Sequence, residues 1–143
     1  MGSKNPYTVE HVAPGIILER SADKELIIVN VASGGQTGLA IWEKCVRALL
    51  TNWPPDIPCL LLHDLHKINA KTLKVNLRGH LENLNRFQPD MGRRAAVILP
   101  PEIDEKQFLL PETILERAHA YPIQQGFFES RRAALDWILS DNP

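Results

Sequence analysis

The chain has 143 residues, 44% of them hydrophobic and 23% charged, and a formal net charge of −1. That length suits one domain with a real core, and the balance excludes wholesale disorder. A near-neutral charge gives no global pull towards nucleic acid or an anionic membrane, so only local patches can carry such binding.

Met1 to Pro14 is polar with two prolines, Pro6 and Pro14. It reads as a loose lead-in, residues 1–13, to a single domain over residues 14–140, with Tyr7 to Val12 expected to pair at a sheet edge. The start of the chain shows no apolar h-region, and no apolar run approaches the ~20 residues that span a bilayer. Pro6 stands where a myristoylation signal wants Ser or Thr. The expected location is therefore cytoplasmic. Gly15 to Arg20 and Glu25 to Val31 are runs rich in Ile and Val, and Ser21-Ala22-Asp23-Lys24 between them suits a hairpin turn. Ala32 to Gln36 reads as a loop and Thr37 as an N-cap. Leu39, Trp42, Val46, Leu49, Leu50 and Trp53 then recur at helical spacing, and Trp53-Pro54-Pro55 ends that helix.

Pro58 to Asp64 contains the apolar run Cys59 to Leu62, bounded by turn signals. It reads as a fully buried strand with helices over both faces. Leu73, Leu77, Leu81 and Leu84 mark a second amphipathic helix, ending near Phe87 before Pro89. Arg94 to Leu99 is a short strand closed by Pro100-Pro101, and Glu102 to Leu110 is irregular. Pro111-Glu112 suits the first turn of a helix running to about Ala120. Ile123 to Phe128 reads as the last strand. Ser130 caps a final helix whose expected core face is Ala133, Ala134, Trp137 and Ile138. The order β-β-α-β-α-β-α-β-α predicts an α/β domain on a mostly parallel sheet of four to five strands.

Sites in open α/β sheets gather at the carboxyl ends of the strands, which singles out His63, Asp64, His66 and Lys67. His63-Asp64-Leu65-His66 offers metal-ligand chemistry. Three ligands on one turn need more from elsewhere, though, and His11, His80 and His119 show no characteristic spacing. No metal or cofactor is expected. Asp64 is instead expected to accept loop amide hydrogen bonds at the strand end, and His63 to pack at the edge of the sheet. The chain has no Gly-x-Ser-x-Gly elbow. Cys45 and Cys59, thirteen intervening residues apart, read as reduced, buried thiols, and no catalytic residue is assigned. Gly34-Gly35-Gln36-Thr37-Gly38 lacks the Gly-Lys-Ser/Thr of a phosphate loop and reads as a loop capping a helix. Lys67, Lys71, Lys74 and Arg78, spaced four, three and four, form one basic stripe beside the leucines. Such a stripe suits an acidic partner or an anionic headgroup. No aromatic interleaves it, which argues against single-stranded nucleic acid.

Asp64-Leu65-His66-Lys67-Ile68, closing a strand and opening a helix, resembles the Asp-Leu-Ser-x-Val segment of STAS domains, the anti-sigma-factor-antagonist family. The ending Phe127 to Leu139, with Ala134-Leu135-Asp136-Trp137-Ile138, resembles the closing strand and helix of the divergent STAS-like branch, and the element order matches over roughly residues 15 to 140. The resemblance implies a non-catalytic regulatory module with a protein partner, switched by phosphorylation of a hydroxyl near the start of the second helix. The Ser and Gly of that motif are absent from Asn69-Ala70-Lys71-Thr72-Leu73, which leaves Thr72 as the candidate phosphorylation site. The expected partner surface is His63, Asp64, His66, Lys67, Lys71, Lys74 and Arg78. Neither nucleic acid nor a membrane is expected as partner; a homodimer is compatible. The alternative is a small-molecule or lipid-binding carrier of the same fold, with Glu102 to Leu110 as a lid bearing Phe108, Leu109 and Leu110.

Overall fold

The computed structural model describes residues 7–21, 26–32, 36–54, 59–84, 93–101, 103 and 123–140. Six strands form one mixed sheet: β1 (Tyr7–Ala13), β2 (Ile16–Ser21), β3 (Leu26–Val31), β4 (Cys59–Asp64), β5 (Arg93–Ile98) and β6 (Ile123–Phe128), in the spatial order β1-β2-β3-β4-β5-β6. β1 to β3 pair antiparallel and β3 to β6 parallel. The expected four to five strands are thus six. The added strand comes from the lead-in, where Tyr7–Ala13 pairs along β2 with a register shift between His11 and Ala13. Pro14-Gly15 makes the connection. Gly15 has φ 77°, a conformation glycine adopts without steric cost after a proline. The Gly15 carbonyl then accepts from the Ala32 amide at 2.7 Å, locking the turn to the end of β3.

The described helices are α1 (Gln36–Thr51), α2 (Ala70–Leu84) and α3 (Arg131–Ile138). The helix predicted from Pro111, the hairpin turn at residues 22–24 and the loop glycines Gly34 and Gly35 lie outside the described residues. α1 starts two residues earlier than a cap at Thr37 implies. Gln36 is already helical, so Thr37 sits in the first turn and not at the cap.

Side chains alternate across the sheet and build two cores. On one face Leu18, Ile27, Val29, Leu61 and Val97 meet Leu39, Trp42, Val46 and Leu50 of α1 and Leu73, Leu77, Leu81 and Leu84 of α2. On the other, Leu26, Ile28, Leu62, Ala96 and Ile98 meet Ala134 and Ile138 of α3. β4 is therefore covered on both faces, as its apolar run predicts. Both leucine-rich helices join neighbouring parallel strands in sequence, and right-handed crossovers put such connections on one side of a sheet. α3 follows the last strand and crosses nothing, so it can cover the opposite side. Ser130 caps it, accepting from the Ala133 amide at 3.2 Å. Ala133 itself is exposed, not part of the core face, because a helix this short buries only one narrow line. Among the described residues no helix is long and apolar enough to cross a membrane.

Candidate functional site

The loop from β4 to α2 is held by its own sequence. Asp64 turns back so that its Oδ1 accepts from the His66 amide at 3.2 Å, the expected strand-end role, and it also meets the His66 ring. Leu65 and Ile68 are fully buried and act as anchors; the Leu65 amide donates to the Ile98 carbonyl at 3.0 Å, continuing the sheet. Asn69 caps α2, its Oδ1 accepting from the Lys71 amide at 2.8 Å. His66 and Lys67 are left exposed between the anchors.

His63 parts company with these residues. Alternation along β4 sends it to the α1 face, where it is 2% exposed and Trp42 Nε1 donates to its Nδ1 at 3.1 Å. It is not a surface residue at the sheet edge, and the reason is the period of a strand: residues 63 and 64 face opposite ways. Asp64 points to the α3 face. There a cleft of about 340 Å³ is lined by Glu19, Asn30, Asp64, His66, Lys67 and Arg131. Arg131, in the first turn of α3, donates to both Glu19 oxygens at 3.1 and 2.7 Å, and Asn30 Nδ2 donates to Glu19 at 2.9 Å. The Arg131 hydrogen bond holds the Glu19 carboxyl below the usual carboxylate range despite partial burial, and the same bond raises Arg131. Glu19, Asn30 and Arg131 were not among the expected site residues. They come from β2, β3 and α3, and only the strand order brings them together.

A second polar cluster lies in the α1–α2 seam. Glu43 accepts from Asn83 at 3.1 Å, contacts His80 Nδ1 at 2.8 Å and pairs with Arg47. Burial opposes ionisation of Glu43, but these three partners outweigh it and keep the carboxyl low. His80, isolated in the sequence, thus has a partner 37 residues away. No three His, Cys, Asp or Glu side chains converge among the described residues.

The basic stripe survives as a surface. Lys71, Lys74 and Arg78 are exposed on α2, with Lys67 just before its start. Val75 sits among them and is 73% exposed, the most exposed large hydrophobic side chain described. Arg78 Nε lies 3.3 Å from Glu82. Thr72 is half-buried in the first turn.

Of the expected lid, Glu102 to Leu110, only Ile103 is described, and it packs into the core on the α1 and α2 face; the rest, Phe108, Leu109 and Leu110 included, lies outside the described residues. An apolar cavity of about 510 Å³ occurs elsewhere, beneath the C-terminal half of α1. Compared with family models, with curated proteins and with solved structures, the chain matches none.

Proposed function

We propose that this chain is a cytoplasmic, non-catalytic, STAS-like interaction module that docks an acidic protein partner through the exposed face of α2. The observation that carries the reading is Val75, an exposed apolar centre ringed by Lys71, Lys74 and Arg78. A docking surface needs a desolvating centre for affinity and complementary charge for steering, and this face offers both. The Asp64 turn, the Leu65 and Ile68 anchors and the Asn69 cap brace its start, so little ordering entropy is lost on binding. Thr72 stands beside Lys71; a phosphate there would add about two negative charges and repel an acidic partner.

The test is a photo-crosslinking amino acid at position 75, used in the protein's own host. The expected outcome is one predominant adduct with an acidic protein, lost in Lys71→Glu/Lys74→Glu/Arg78→Glu with helical content unchanged and weakened by Thr72→Glu. An adduct that persists in the triple variant, or none at position 75, would overturn the reading.

A further inference from the structure

α1 carries two adjacent stripes. Leu39, Trp42, Val46 and Leu50 fill the core. Cys45, Ala48, Leu49 and Asn52, also at helical spacing, face the cavity of about 510 Å³ whose floor is Leu18 of β2 and Ile27 of β3. Two of those four side chains are small, so they do not fill the space over β2. Trp53 and Val12 complete the apolar wall. Burial raises the Cys45 thiol, so the wall stays uncharged there. Among the described residues one cation reaches the lining: Arg20 on β2. Its ion-pair partner is Glu10, and that contact is long, 4.0 Å between two substantially exposed side chains. A guanidinium has five N–H donors in a planar fork, and one carboxylate at the limit of contact occupies little of it.

We propose that this cavity binds a small monocarboxylate with an unbranched apolar tail, the carboxylate on Arg20 and the tail along Leu18, Ile27, Leu49 and Trp53. The volume lies in the range of about 300–1,000 Å³ that takes small ligands, and an apolar lining with one placed polar group is how such sites orient them. The charge count selects the head group. A single guanidinium, partly offset by Glu10, balances one negative charge and offers a bidentate match to a carboxylate; a dianionic phosphate would leave charge uncompensated against an apolar wall. The site lies under α1, apart from the exposed face of α2, so it stands or falls independently of the docking reading.

Calorimetric titration of the full chain with decanoate, decanol and decyl phosphate tests this. Decanoate should bind one to one and more tightly than either analogue. Arg20→Gln should weaken decanoate about tenfold, the loss of a charge-assisted bond, and leave decanol unchanged. Ala48→Trp, built from an exposed helix position, should fill the cavity and abolish decanoate binding with the melting temperature retained. The proposal is overturned by wild-type protein that does not bind decanoate or prefers decyl phosphate. It is equally overturned by decanoate affinity unchanged in Ala48→Trp, or by a dimer in sedimentation equilibrium that Ala48→Trp splits, since a second copy would then be the occupant.

Discussion

Two buried side chains illustrate how much rests on single atoms. An indole N–H only donates, so Nδ1 of His63 must be the acceptor and must carry no proton in the Trp42 bond. Trp42→Phe keeps an aromatic ring but leaves that nitrogen without its Trp42 donor in a buried setting. The expected loss is about 1–3 kcal/mol, read from urea unfolding. The double variant with His63→Leu should cost less than the sum of the two singles, because both sides of the bond are then gone; strict additivity would show that the contact carries no coupling. Glu19 and Glu43 make a pH prediction. Both are held low in the folded protein, so each stabilises the fold above its ordinary value near 4.5, and that stability is lost as pH falls through the lowered folded value. Thermal melts should therefore show a fall in melting temperature below about pH 4.5. Glu19→Gln should flatten part of that fall; an identical pH profile would remove Glu19 from the account.

At the scale of elements, what the sequence discloses depends on period. The leucines of α2 recur at helical spacing, and all four are buried as that spacing requires. The β4 run reads correctly because it is apolar on both faces. β1 is harder: its side chains are mostly exposed, so no alternation marks it, and only Pro14-Gly15 signals a turn. The caps divide the same way. Ser130 precedes a clear helix and is a cap, whereas Asn69 carries that role for α2 without an apolar pattern beginning beside it. Asn69→Ala should cost about 1 kcal/mol, measurable by chemical denaturation, and a neutral effect would mean that Leu65 and Ile68 alone hold the helix start. β6 offers a contrasting test. A Cβ on Gly126 would lie 2.9 Å from the Phe128 ring, which packs on Trp137 with centroids 5.5 Å apart. Gly126→Ala must push that ring, at a cost of about 1 kcal/mol or somewhat more. Adding Phe128→Leu should recover most of it, and failure of that rescue would place the strain elsewhere.

For the molecule as a whole, the strand order is the part no local pattern contains. Periodicity names strands and helices but not their neighbours, so the Glu19–Arg131 pair, 112 residues apart in sequence, was out of reach. The split of His63 from Asp64 needs only the two-residue period of β4; which helix layer each one meets depends on how the helices cover the sheet. The same order predicts a gradient of local stability. Among the described residues β1 is paired on one side only, and its side chains are mostly exposed. β4 is paired on both sides and packed on both faces, with Leu61 and Leu62 fully buried towards opposite cores. Opening β4 exposes both cores at once, whereas β1 can detach while Leu18 and the α1 contacts of β3 remain. Native-state hydrogen exchange should therefore find the amides of β1 exchanging at small opening free energies, and those of β4 only near the global unfolding free energy. Protection in β1 equal to that in β4 would mean that the sheet opens as one unit and that the antiparallel edge is integral to the core.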